Sequence, residues 1–237
     1  MAGPVWNFAD VWELVAAKQG ERLAIVQGGK VLTWAEFDAR SDALAQAFVA
    51  AGAGRQAKIG CYLANSAEYM ITVFAAFKAG MVPFNVNYRY GSEELAYLFD
   101  NADAEIVVFD AEYADKIAPL RARLPGVKAW IVHGEPAPPW ALDLADLTVQ
   151  KAPSRFRAPW GRSGRDEMFI YTGGTTGMPK GVMWRQEDLF AASRYYENVP
   201  LNIPGLETPE DAPGRAAIHG RGVLLIASPL MHATALI

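Results

Sequence analysis

The sequence predicts an α/β fold: a doubly wound, mostly parallel sheet covered by helices, followed by the start of a second, similar subdomain. Two observations carry this reading. Residues 59–63 and 106–109 are continuous apolar runs, as strands buried on both faces are, and not the alternating runs of a half-exposed sheet. The segments between such runs carry their apolar residues at helical spacing, which places helices between parallel strands.

Each element follows in order. Residues 23–26 and 31–32 flank Gly28-Gly29 and read as a hairpin. Thr33 caps a helix, and Glu36 three positions later completes a capping box. Trp34, Phe37, Leu44 and Phe48 share one face of that helix, and Gly52 stops it. After the strand at 59–63, Asn65 or Ser66 caps a helix that buries Met70, Val73, Phe74 and Phe77 and ends at Gly80. Ser92 caps a helix through Leu98; residues 106–109 form a strand, 111–124 a helix and 129–132 a strand. Residues 133–166 hold Pro136, Pro138, Pro139, Pro153 and Pro159, which marks a surface connection with one short helix near 142–149. The first subdomain therefore spans 1–165. Residues 166–237 supply strands at 168–171 and 182–184 around a Gly/Thr loop, a helix at 186–196, a Pro/Gly-rich loop at 201–220 and a buried strand at 223–227. The chain stops at Ile237 on apolar residues without a terminating signal, so the second subdomain is expected to be truncated.

Composition narrows the function classes. A chain of 237 residues that is 51% hydrophobic can bury a substantial core. Its net charge is −4 and it has no Lys/Arg run, which argues against nucleic acid as a partner. One cysteine rules out an internal disulfide, and Cys61 in an apolar run reads as a buried structural thiol. No basic-then-apolar leader opens the chain and no apolar stretch is long enough for a transmembrane segment; a cytoplasmic location is expected.

The chemistry lies in Thr172-Gly173-Gly174-Thr175-Thr176-Gly177-Met178-Pro179-Lys180-Gly181. Glycines let successive backbone N–H groups turn inward as an anion nest. The hydroxyls of Thr172, Thr175 and Thr176 add donors, and Lys180 adds a cation suited to phosphate. The plain alternative is a flexible surface turn with a solvated lysine. The P-loop of kinases and ATPases does not fit, because Pro179 precedes the lysine, Gly181 follows it, and a strand follows instead of a helix.

Residues 171–181 resemble the phosphate-loop motif of the adenylate-forming superfamily, whose members include acyl-CoA synthetases, luciferases and peptide-synthetase adenylation domains. Gly173 stands where serine is usual. Further matches run along the chain: Leu32-Thr33-Trp34-Ala35-Glu36-Phe37; Phe77-Lys78-Ala79-Gly80-Met81-Val82-Pro83 with Asn85-Val86-Asn87-Tyr88-Arg89-Tyr90; and Pro229-Leu230-Met231-His232. The resemblance implies a carboxylic acid–CoA ligase that uses ATP, Mg²⁺ and coenzyme A, first forming an acyl-adenylate and then a thioester. It implies pyrophosphate contacts at Thr172, Gly173, Gly174, Thr175, Thr176, Gly177 and Lys180, with Lys180 and His232 as catalytic residues. No metal ligand is assigned. On residues alone, His232 reads as a structural histidine; the resemblance places it between acid and nucleotide.

The segment 231–237 has no acidic residue to pair with a substrate ammonium, which favours a fatty or other apolar acid. A luciferase-like or carrier-protein-acylating enzyme and a non-catalytic nucleotide-binding fragment are the alternatives. Homo-oligomerisation is compatible with the sequence. The family's later motifs do not occur in these residues, so the chain reads as an N-terminal fragment and is expected to be inactive alone.

Overall fold

The computed structural model describes residues 6–149, 155–173, 178–197, 205–219 and 225–232. Helix α1 (Phe8–Gln19) opens on Asn7, whose side chain accepts from Ala9 N while Asp10 reaches back to Asn7 N. Strands β1 (Leu23–Gln27) and β2 (Lys30–Thr33) form the expected antiparallel hairpin. Helix α2 (Trp34–Ala50) begins on the expected Thr33–Glu36 box. Then come β3 (Lys58–Tyr62), α3 (Ala67–Lys78) capped by Ser66, and β4 (Val82–Asn85). Helix α4 (Ser92–Asn101) leads to β5 (Ala104–Asp110), α5 (Ala114–Ile117), β6 (Ala129–His133), β7 (Leu142–Asp143) and α6 (Leu144–Val149). The described chain closes with β8 (Glu167–Thr172), β9 (Lys180–Arg185), α7 (Gln186–Glu197) and α8 (Ala212–His219).

Seven strands form one sheet in the order β7-β6-β5-β3-β4-β8-β9, parallel except for the antiparallel pair β8–β9. Residues after 166 thus contribute β8 and β9 to the same sheet as β3–β7. The twofold period of the strands divides the core into two layers. Ile59, Cys61, Ile106, Val108, Ile131, Met168 and Ile170 pack on one face with α2 and α3. Tyr62, Phe84, Val107, Phe109, Trp130, Phe169 and Tyr171 pack on the other with α4 and α5. Both faces are covered, as a parallel sheet requires. Cys61 is fully buried on central strand β3, and that burial pushes its thiol pKa up.

Several expectations are corrected. Residues 111–124 are not one helix: two 3₁₀ turns flank the single turn of α5, because Pro119 cannot donate the hydrogen bond that would continue it. The loop expected at 201–220 contains α8. Pro213 and Gly214 sit in its first turn, where a missing N–H costs nothing, and Asp211 accepts from Thr208 N and Glu207 N to seat the entry. The strand expected at 223–227 is absent over its described part, 225–227; Leu225 stands exposed there and pairs with no described strand. Helix α4 is capped by Gly91, not Ser92, with Glu94 accepting from Gly91 N. The connection 133–166 is more than surface: Asp166 is buried and accepts from Ser163 N, Arg55 and Gln56.

The fold is locked at the N-terminal edge of the sheet by a buried ion network. Lys78, at the end of α3, donates to Glu13 at 3.1 Å and to Asp38 and Asp42 at 2.6 Å each. Arg162 forks onto Glu13 and reaches Asp10, Arg157 pairs with Glu13, and Arg155 with Asp38. Burial would raise the Glu13 pKa, but Arg162, Lys78 and Arg157 outweigh it and hold the carboxyl well below its ordinary 4.5. Glu13 therefore contributes stability that is complete above about pH 4.5 and is lost as pH falls. Asp42 acts in the opposite sense, since burial raises its pKa against the pull of Lys78. Replacing Lys78 by Met removes the cation that pairs with buried Asp42, along with one partner each of Glu13 and Asp38, and should cost about 3–5 kcal/mol at neutral pH. Urea denaturation should show this loss shrinking below about pH 4, where carboxyls take up protons; a loss that does not depend on pH would contradict the network.

Candidate functional site

The two crossovers around the sheet centre run to opposite faces. Helix α3, after β3, packs in one core layer, and α4, after β4, packs in the other. Such a divergence opens a crevice at the carboxyl ends of the two strands, the usual ligand position in doubly wound sheets. The chain segments leaving β3 and β4 carry Asn65 and Asn85 there.

Asn85 is almost fully buried at the end of β4. Its Oδ1 accepts from Tyr171 N at 2.7 Å, its Nδ2 donates to Tyr171 O at 2.9 Å, and the same nitrogen donates to Met231 O. The amide thus pairs with β8 as a peptide group would and ties the turn at 229–232 to it. Asn65 holds the other side of that turn: Leu230 N donates to its Oδ1 at 2.6 Å, and its Nδ2 donates to Ser228 O at 3.0 Å. Leu230 and Met231 are buried, His232 N donates to Pro229 O at 2.9 Å, and the His232 side chain stays exposed. His232 is therefore one residue from a carbonyl that shares an amide with Tyr171, the neighbour of Thr172.

The expected phosphate loop opens from the same edge. Thr172, last in β8, lies directly across the ladder from Lys180, first in β9, so both side chains leave the same face of the sheet at the loop's mouth. Both are exposed, as is Gly173, around which a Cβ would meet nothing within 4 Å. Packing does not require glycine at 173; its effect is to omit a hydroxyl. Gly174, Thr175, Thr176 and Gly177 lie outside the described residues. Gly181 is demanded by sterics. It pairs with Tyr171, and a Cβ at 181 would come within 2.8 Å of the Tyr171 ring. Tyr171 OH donates to Asn101 at 2.8 Å, which fixes the ring over that glycine.

The other candidates separate from this site. His133 ends β6 and sits 3.6 Å from Glu68, which also pairs with Lys30. His219 ends α8. Arg89 lies over the Tyr88 ring at 6.0 Å. Arg185 pairs with Asp188 and Glu187 on the surface. Among the described residues, one carboxylate trio has the spacing of a cation site, Glu13, Asp38 and Asp42, within 4.8 Å of one another. The Lys78 ammonium fills it, at the sheet edge opposite Thr172. The residues that organise the site, Asn65 and Asn85, were not singled out as site residues in the sequence; the available signal was a polar amide closing the short apolar run before Val86.

Residues 12–237 match the family described as AMP-binding enzyme. The chain belongs to that family. It is 35% identical over 191 residues to a medium/long-chain-fatty-acid–CoA/3-oxocholest-4-en-26-oate–CoA ligase of Mycobacterium marinum, covering 78% of this chain and 35% of the relative. It is 33% identical over 248 residues to the medium-chain acyl-CoA ligase Mig of Mycobacterium avium, covering 95% of this chain and 44% of that one. The chain thus spans less than half the length of these relatives. Its fold matches a long-chain-fatty-acid-CoA ligase (FadD1) from Archaeoglobus fulgidus with a TM-score of 0.79 at 21% identity, over the whole of this chain and 45% of the other. Apo MatB from Rhodopseudomonas palustris matches with a TM-score of 0.74 at 25% identity, over 96% of this chain and 41% of the other. No described helix is long and apolar enough to cross a membrane.

The Tyr171–Gly181 contact gives a direct test of the loop's footing. Gly181→Ala should destabilise the chain by about 1–3 kcal/mol through overpacking. In a Tyr171→Leu background the cost should fall below about 0.5 kcal/mol. Thermal melts of the four proteins in this cycle provide the measurement.

Proposed function

We propose that the protein containing this chain is an ATP-dependent carboxylic acid–CoA ligase that passes through an acyl-adenylate. The observation that carries the reading is the Thr172–Lys180 cross-strand pair at the mouth of a Gly/Thr loop, in a member of the AMP-binding family. An exposed hydroxyl and an exposed ammonium paired across the ladder suit the β- and γ-phosphates of ATP, which leave as pyrophosphate. In the first step, a substrate carboxylate oxygen attacks the α-phosphorus and the bond to the bridging oxygen of pyrophosphate breaks. Negative charge builds on the leaving group, and Lys180 and Thr172 offset it with charge-assisted hydrogen bonds. His232, on the turn held at the crevice, faces the acid and orients its carboxylate for in-line attack. In the second step, the coenzyme A sulfur attacks the acyl carbon and AMP departs.

Mg²⁺ would neutralise triphosphate charge, but the described residues do not fit it: the single carboxylate trio among them is filled by Lys78. No step is therefore assigned to a metal held by this chain. The relatives named for medium- and long-chain fatty acids and for a steroid carboxylate support an apolar acid as substrate. In this reading residues 1–165 form the first subdomain and 166–237 begin a second, which shares β8 and β9 with the first sheet.

Lys180→Ala in the complete protein should slow adenylation by about ten- to a hundredfold, the loss of one charge-assisted hydrogen bond. Thioester formation from preformed acyl-adenylate should stay within about twofold, because pyrophosphate has already left. Equal slowing of both half-reactions would refute the role. The 237-residue chain alone should not exchange labelled pyrophosphate into ATP above a Lys180→Ala control. Acid-dependent exchange above that control would show that adenylation needs nothing beyond these residues.

A further inference from the structure

The hydrogen bonds at the crevice point to a role for two side chains that touch neither substrate. We infer that Asn65 and Asn85 are positioning residues: Asn65 sets the turn that carries His232, and Asn85 couples that turn to the strand that carries Thr172. The inference rests on the roles proposed above for His232 and Thr172.

Asn85 uses all three of its hydrogen bonds on other segments. One acceptor and one donor engage both backbone groups of Tyr171, and the second donor engages Met231 O. The backbone explains the need. Strands β4 and β8 pair at the single register Phe84↔Phe169, so beyond Phe84 the ladder would leave Tyr171 N and O without backbone partners. The side-chain amide replaces the missing peptide and has one proton left for the turn. Buried polar groups are costly to leave unpaired, so turn and strand are held to one geometry by one planar group. Any displacement of Met231 is felt at Tyr171, and Thr172 is the next residue.

Asn65 differs in being exposed and outside the core; its side-chain bonds both go to the turn, while its carbonyl accepts from Gln27 Nε2. It fixes Leu230 N and Ser228 O on the entering side of the turn. Its two bonds and the single Asn85 bond hold the turn at three backbone positions, 228, 230 and 231. Residue 232 then projects from a fixed frame.

The two anchors predict different kinetic phenotypes in the complete protein, read by acid-dependent pyrophosphate exchange. Asn65→Ala should raise KM for the acid about fivefold, the equivalent of one neutral hydrogen bond, and leave KM for ATP within about twofold. The melting temperature should change by no more than about 2 °C, since the residue is exposed. In a His232→Ala background the same substitution should add less than about twofold, because the group that it positions is gone. Asn85→Asp keeps the shape and the acceptor but loses both donors, and should raise KM for acid and for ATP together. Additive effects of Asn65→Ala and His232→Ala would overturn the role of Asn65. A change in only one of the two KM values for Asn85→Asp would overturn the coupling, as would a fall in melting temperature with both values unchanged. If His232→Ala alone leaves the KM for acid and the adenylation rate unchanged, the proposed role of His232 fails instead.

Discussion

Everything at the site depends on one constraint: a parallel sheet must be covered on both faces, and each crossover can cover only one. Chain order β3-β4-β5 meets spatial order β5-β3-β4, so the connection after β3 and the connection after β4 must diverge. Helix α3 goes to the layer of Cys61 and Phe74, and α4 to the layer of Phe84 and Phe99. The gap that they leave at the carboxyl ends is a consequence of covering the sheet, present before any functional residue is added. Asn65, Asn85, Tyr171 and the 228–232 turn are the groups that line and fasten that gap.

At the opposite ends of the strands the described residues are joined by a buried ion network. Asp10, Glu13, Asp38 and Asp42 face Lys78, Arg155, Arg157 and Arg162. These groups come from α1, α2, α3 and the segment after 155, so the network binds the first helix and the long connection to the sheet in one place. Acids and bases balance, which leaves no net field there to attract an anionic nucleotide. At the other end of the strands, Lys180 stands exposed.

Much of this was legible in the sequence where the signal was local. The Thr33–Glu36 box, the Gly28-Gly29 turn and the apolar runs of β3 and β5 each follow from a few adjacent residues. Strand β4 was not singled out in the sequence, and its Pro83 is unusual at a central position. It is tolerated because Val82 and Val86 donate to Ala57 and Cys61 on the β3 side, so by alternation the missing N–H of Pro83 faces β8, where the ladder is a single pair. Helix α1 had a readable start in Asn7 and Asp10 that was passed over. The phosphate loop and His232 were found as motifs; their relation was not, because it runs through Asn85 to residues 86 and 146 positions away. Long-range hydrogen bonds of that kind leave no periodic trace. The division of Gly181 from Gly173, one forced by an aromatic ring and one free, likewise needs the cross-strand register.

Cys61 gives the molecule a built-in reporter. It is the sole thiol, on the innermost strand, between β4 and β5, and shielded from solvent. A thiol-specific reagent can reach it only when the layer of α2 and α3 lifts from that face of the sheet, since fraying of edge strand β9 or of the surface loops leaves it covered. Its alkylation rate therefore reports opening of the core layer between the sheet and α2 and α3. Ligands that bridge β4, β8 and the 228–232 turn should slow that rate in proportion to how much they stabilise the closed sheet. Occupancy of the crevice can in this way be read without any turnover, from a single unaltered side chain.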